Sequence, residues 1–187
     1  MTIPASRLRL WLMAIGCLSC LVPAADADVA EPSSYRLDNY RAETPLTLNG
    51  ASVIGAEELH RLMLQEAAVV IDVLPQPPRP PELPAATYWR APERHDIPGS
   101  IWLANVGYGN LSAEMDQYFR DALDNVALGD KTRRLVFYCE ERCWMSWNAA
   151  KRALGYGYRN VYWFPGGVQE WSAAGYPTML NAVVPAK

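Results

Sequence analysis

The chain is poor in histidine, with two in 187 residues. No Cys-x-x-Cys-His occurs, which excludes a covalently attached c-type haem. Only two histidines also make a four-ligand zinc site a poor expectation. Basic residues form no stripe, and Lys and Arg number 17 against 20 Asp and Glu, so nucleic acid is not an expected partner. No apolar run reaches the roughly 20 residues that a spanning helix requires. No internal repeat is visible, which excludes a solenoid or propeller.

What is present begins with an export pattern. Met1 to Arg9 carries Arg7 and Arg9 and no acid, and an apolar run follows from Leu10 to Val22. Pro23 and the small-residue stretch Ala24-Ala25-Asp26-Ala27 complete the features of a secretory signal. Cleavage is expected after Ala27, giving an exported protein. Processing as a lipoprotein before Cys17 is the weaker alternative. Without residues 1–27 the formal charge of −3 loses two arginines and one aspartate and becomes about −4. About 160 residues then remain, enough for one domain with a proper core.

Export simplifies the cysteine arithmetic. Cys17 and Cys20 leave with the signal, and Cys139 and Cys143 remain. In an oxidising compartment such a pair is expected to be a disulfide or a working dithiol. In a helical turn, residues i and i+4 lie about 6 Å apart at Cα, within disulfide reach. One cysteine can then attack and the other resolve. A soft-metal site for Cu(I) on Cys139, Cys143 and Met145 is the rival reading.

Along the mature chain, residues 28–50 read as a polar N-terminal arm laid over a domain at 51–180, with a tail at 181–187. Residues 56–64 have acids in a first turn and apolar residues at helical spacing. Ala68–Leu74 is a nearly continuous apolar run, typical of a parallel strand covered on both faces. Eight prolines between Pro75 and Pro98 exclude helix and central strand, so residues 75–97 are an extended loop. Ile101–Leu103, Leu135–Tyr138 and Asn160–Trp163 read as further strands. Helices are expected over Ala113–Leu128 behind the N-cap Ser112, over Ser146–Leu154, and after Gly166-Gly167. Strands alternating with helices argue an α/β fold, a central parallel sheet with helices on both faces.

Three landmarks carry a resemblance. Val70-Ile71-Asp72-Val73 is a strand ending in an aspartate. His95-Asp96-Ile97-Pro98-Gly99-Ser100 is similar to a His-x-Ile-Pro-Gly-Ala turn. Val136-Phe137-Tyr138-Cys139 is followed by a loop, a helix, Tyr158–Tyr162 and Gly166-Gly167-Val168-Gln169-Glu170-Trp171. In order and spacing these resemble the rhodanese-like family over residues 53–178. The resemblance implies that Cys139, at the end of a central strand, takes the nucleophile or sulfur-carrier position. There, loop amides and a helix N-terminus favour a thiolate.

A narrower resemblance rests on Tyr138–Ala153, with Ile97–Leu103 and Asn105–Gly109. This string is similar to the Cys-x-x-x-Cys-Trp signature of an exported family. That family is associated with alcohol catabolism that depends on pyrroloquinoline quinone (PQQ). It implies a periplasmic setting, and an alcohol dehydrogenase or its cytochrome c as neighbour and partner. PQQ or copper enters only as an alternative cofactor, and no other cofactor is implied.

The loop departs from sulfurtransferases that use thiosulfate. Glu140 and Glu141 follow Cys139, with Arg142 as the only cation. Each carboxylate within ~6 Å of the sulfur would oppose an anionic donor by roughly 2–3 kcal/mol before screening. Thiosulfate sulfurtransfer is therefore disfavoured, and thiol redox or another form of sulfur handling is preferred. Trp144 either shields the cysteine pair or packs as a core residue. Asp72 is expected to brace loops, His60 to lie on the surface, and His95 to have a structural role. Asn148 is a candidate for bonding loop backbone, and Trp147 for the core.

Overall fold

The computed structural model describes residues 29–185. The expected signal segment, residues 1–27, and with it Cys17 and Cys20, lies outside the described residues. Five parallel strands form the central sheet: β1 (Ser52–Val53), β2 (Val69–Asp72), β4 (Ile101–Trp102), β5 (Leu135–Tyr138) and β6 (Val161–Phe164). Their order is β1-β6-β5-β2-β4, which puts β5 at the centre. β3 (Arg94–Asp96) and β7 (Met179–Asn181) pair antiparallel as a separate two-stranded sheet.

The apolar strand runs are continuous because both faces of the sheet are covered. Ile71, Leu135, Phe137, Val161 and Trp163 face one cluster, which includes residues of α2 (Ala113–Ala127) and α3 (Trp144–Gly155). Val70, Val136, Tyr138 and Phe164 face the other, with α1 (Ala56–Leu64) and Trp171 of α4 (Gly167–Ala173). Alternation along each strand therefore supplies two cores at once.

Local signals explain the helix ends. Ser112 accepts the Met115 N–H at 3.2 Å as the N-cap of α2. Leu128 and Gly129 leave the helix with positive φ. The first donor of α1, the Ala56 N–H, is met by Glu170 Oε1 of α4 at 2.8 Å.

Several boundaries differ from expectation. The strand read over Ala68–Leu74 is trimmed to Val69–Asp72, and α3 starts at Trp144 rather than Ser146. His60 is half-buried, not a free surface residue: its ring stacks on Tyr176 at 4.2 Å and meets Trp171 edge-on at 5.9 Å. It flanks the buried Leu59–Leu62 stripe of α1, where the aromatic residues around the end of α4 reach it. Beyond β7, Val183 bridges Trp102 of the edge strand β4 in a parallel sense, and the Val184 N–H donates to the Trp102 carbonyl at 2.9 Å. No helix among the described residues is long and apolar enough to cross a membrane.

The arm, by contrast, holds tightly to α3. Trp144 and Trp147 donate their indole N–H groups to the carbonyls of Glu43 (2.9 Å) and Thr47 (3.1 Å). Asn148 clasps Arg36 from both sides, accepting its N–H and donating to its carbonyl, each at 2.9 Å. Leu48 of the arm is fully inside the core.

Candidate functional site

The site starts where β5 ends. All four residues of β5 are buried, and the next residue is Cys139. The chain then turns through Glu140–Arg142, with Arg142 in the left-handed region at φ 52°. It enters α3 with Cys143 as N-cap. Cys139 and Cys143 are joined as a disulfide, with their Cα atoms 6.3 Å apart. The bridge thus ties the end of the central strand to the start of a helix, and both cysteines are at most 1 % exposed.

The opposite side of the loop is pressed against α4. The Val168 N–H donates to the Cys139 carbonyl at 3.3 Å, and Glu140 bridges Gly167 in an antiparallel sense. Gly167 has φ +55°, and a Cβ there would sit 2.6 Å from Glu140 backbone atoms. Glycine is required at this contact on both counts.

Two of the three charged side chains of the loop, Glu140 and Arg142, are paired. Glu140 lies between Arg41 of the arm and Arg94 of β3, the latter at 3.4 Å. Arg142 pairs with Glu43 at 2.7 Å. Glu141 is exposed, and its N–H donates to Gln169 Oε1 at 3.0 Å. The expectation that Glu140 would repel an anion at full strength is corrected here, because two guanidinium groups flank its carboxylate.

Behind the loop lies a buried polar cluster. Arg94 donates from Nε to Asp72 Oδ2 at 2.8 Å and from Nη2 to the Cys139 carbonyl at 3.5 Å. Asp72 also accepts the Leu74 N–H at 2.9 Å, so it braces the start of the proline-rich loop. Burial pushes the Asp72 carboxyl up to about 6, against the opposing pull of Arg94 and with a smaller upward push from Asp96. Burial likewise raises Asp96, whose Oδ1 has no partner among the described residues. Tyr138 accepts the Ile97 N–H through its hydroxyl at 3.1 Å and pairs with Ser100 Oγ at 2.9 Å. Burial, then the charges of Asp72 and Asp96, raise that phenol well above its ordinary value.

Among the other candidates, Trp144 and Met145 are core residues, 2 % and 3 % exposed. Trp147 is buried, and Asn148 bonds the Gly107 carbonyl at 3.0 Å as well as Arg36. His95 is an exposed residue of β3, opposite Leu180. No group of three His, Cys, Asp or Glu among the described residues is placed to hold a metal. A cleft of about 490 Å³ opens beside the loop, lined by Arg41, Pro75, Arg94, Trp102, Tyr108 and Glu140 among others. Arg41 and Arg94 are absent from the sequence-derived candidates. For Arg94 one signal existed, since an aspartate ending a buried strand needs a cation.

A parallel sheet with a central strand delivering a cysteine into a loop and helix matches the rhodanese-like domain, and the family match spans residues 55–174. The chain belongs to the rhodanese-like family. Among solved structures it is similar to the rhodanese-like domain of an Anabaena protein, at 18 % identity and TM-score 0.44 over 75 % of this chain and 87 % of that one. It is also similar to a human single-domain sulfurtransferase, at 21 % identity and TM-score 0.40 over 66 % and 96 %. A polysulfide-sulfur transferase from Wolinella succinogenes aligns at 16 % identity and TM-score 0.42, over 70 % and 79 %. No curated protein matches the chain.

Proposed function

We propose that this rhodanese-like protein is exported to the periplasm, where its Cys139–Cys143 pair carries out thiol-disulfide or sulfur chemistry in support of PQQ-dependent alcohol oxidation. The observation that carries the reading is the disulfide itself, built between the end of the central strand and the N-cap of α3. The likeness of Tyr138–Ala153 to the Cys-x-x-x-Cys-Trp signature supports the setting, and the signal-like residues 1–27 support the compartment. An alcohol dehydrogenase or its cytochrome c is the partner that this likeness suggests.

In the reduced state the Cys139 thiolate attacks a substrate disulfide and forms a mixed disulfide, releasing one substrate thiolate. Cys143 then attacks Cys139 sulfur, closes the intramolecular bridge and releases the second thiolate. The pair gives up two electrons and the substrate takes them. Oxidation of a substrate dithiol is the same sequence reversed.

The reduction potential of the pair tests this. A potential above about −300 mV fits a working pair, and one well below it fits a structural bridge. A Cys143→Ser variant is expected to trap a mixed disulfide or persulfide on Cys139, and an inert Cys139 in that variant would sink the reading. Mass spectrometry of the exported protein should show Asp28 as the first residue.

Burial of both sulfurs favours one second reading, a non-catalytic binding or delivery module whose bridge shapes the loop. Double Cys→Ser variants would then keep their function in vivo. A Cu(I) form of this reading needs the reduced thiolates with Met145, and calorimetry on reduced protein tests it. The cleft beside the loop offers little to PQQ carboxylates: its two guanidinium groups, Arg41 and Arg94, are engaged by Glu140 and Asp72, and only His95 is left as a cationic partner.

A further inference from the structure

The arm does more to the loop than cover it. Arg41 forms an antiparallel bridge with Cys143, and the Tyr40 carbonyl accepts the N–H of Trp144, the first residue of α3, at 3.0 Å. The helix end that would otherwise receive an anion or a substrate is thereby capped by the chain's own backbone. Ala42 packs on the core cluster that contains both cysteines. Two charge pairs flank this seat, Arg41 with Glu140 and Arg142 with Glu43.

We propose that Tyr40–Glu43 occupies the seat of an extended partner polypeptide, and that the arm is a strap which a cysteine-bearing segment of that partner displaces. The backbone contacts suit any extended segment, since one carbonyl serves Trp144 and one residue pairs with Cys143. The flanking charges set the preference. A cation is wanted opposite Glu140, an acid two residues later opposite Arg142, and the reacting cysteine between them in the place of Ala42. This rests on the reading of Cys139–Cys143 as a redox pair, and it supplies that pair with a substrate class. The segment's thiolate attacks one sulfur of the bridge. The Cys139–Cys143 bond breaks as the mixed disulfide forms, and the displaced cysteine leaves as a thiolate that takes a proton.

The test uses the full mature protein in its oxidised form and a synthetic peptide of residues 36–47 carrying Ala42→Cys. Mixed-disulfide formation is followed by mass spectrometry for the wild type and for an Arg41→Glu/Glu43→Arg variant, whose strap meets like charges on both sides. Loss of two exposed pairs, with repulsion in their place, should speed the variant by at least about fivefold. The same peptide with its two charges reversed should react more slowly with the variant than the original peptide does. Equal rates for both proteins and both peptides would overturn the strap. Should the variant not fold, hydrogen exchange on the wild type decides. A Trp144 amide that exchanges faster than the β5 amides supports a lifting strap, and one that exchanges only with global unfolding overturns it. The outcome is separable from the redox reading. A redox-competent potential with equal rates removes only the strap, and a potential well below about −300 mV with a faster variant removes only the working pair.

Discussion

Arg94 and Asp72 are the two halves of a buried ion pair, Nε to Oδ2 at 2.8 Å, with side chains 8 % and 0 % exposed. The pair joins a strand end in the central sheet to a strand that emerges from the proline-rich segment. Through the Cys139 carbonyl and Glu140, the same guanidinium holds the first two residues of the disulfide loop. Removing Arg94 leaves the buried Asp72 carboxyl without its cation and donor, so it must either stand unpaired or bind a proton, and both cost stability. Arg94→Met is therefore expected to cost about 3–5 kcal/mol, read by urea unfolding at pH 7. A loss under about 1 kcal/mol would mean that water or a proton fully relieves Asp72 and that the cluster is not a structural unit.

The direction of pH dependence follows from the same pair. Asp72 titrates near 6 in the folded chain, above its ordinary value of 3.8. A group raised by folding contributes stability that is full below its unfolded pKa and lost as pH rises through the folded one. Between about pH 4 and 6 the native state therefore holds a proton that the unfolded chain releases, and Asp72 subtracts up to roughly 3 kcal/mol across that window. Asp72→Asn keeps an acceptor for Arg94 and removes the titration. Its stability relative to the wild type should rise from pH 4 to pH 7. A difference that stays flat over that range would show that Asp72 is already ionised well below 6.

Gly167 is expected to tolerate no side chain. A Cβ would approach Glu140 backbone at 2.6 Å and the Cys139 carbonyl at 2.7 Å, and φ is +55°. Backbone cannot swing aside as a flexible side chain would, so Gly167→Ala must displace either α4 or the loop. A cost of about 2–4 kcal/mol is expected, with faster reduction of the disulfide as the loop loosens. Near-neutral stability together with an unchanged reduction rate would contradict the contact.

What was legible in the sequence is whatever local pattern encodes. Leu135–Tyr138 reads as a buried strand because four apolar, β-prone residues in a row need cover on both faces. Ser112 announces α2 because its hydroxyl serves the helix's own N–H groups. α3 begins two residues early for a reason that no local pattern holds, since its first donor is met by Tyr40, about a hundred residues upstream. β3 was hidden in the proline-rich run because its partner, Met179–Asn181, lies some 85 residues away. At the site, the sequence located Cys139, Cys143 and the charged loop between them. It could not show that Arg41 and Arg94 converge on Glu140, because pairing across the fold leaves no spacing to read.

The disulfide closes a loop of five residues, which limits what it can contribute to stability. Chain-entropy arithmetic gives about 2 kcal/mol for so short a loop. A Cys139→Ala/Cys143→Ala variant is expected to fold with a loss near that figure, measured by thermal and urea unfolding. Failure to fold would show that the bridge carries the local architecture. The loss is small because β5 and α3 are anchored independently, by the flanking sheet and by the arm.

Asn148 sets how firmly the arm is anchored. It is fully buried, and its amide meets three backbone groups: the Arg36 N–H, the Arg36 carbonyl and the Gly107 carbonyl. The Arg36 and Gly107 bonds tie the arm and the Gly107–Gly109 turn to one side chain of α3. Asn148→Ala leaves those groups without their partner, and each stranded group costs about 1–3 kcal/mol unless water enters. Because Arg36 can regain water only if the arm lifts, the loss should appear unevenly. Hydrogen exchange should accelerate in residues 35–48 and at Trp144 while the amides of β5 stay protected. Asn148→Asp separates the two roles of the amide, since it still accepts the Arg36 N–H but cannot donate to either carbonyl. It is expected to loosen the arm about as much as alanine does. Uniform acceleration across β5 and the arm would show that Asn148 supports the whole core rather than the attachment of the arm.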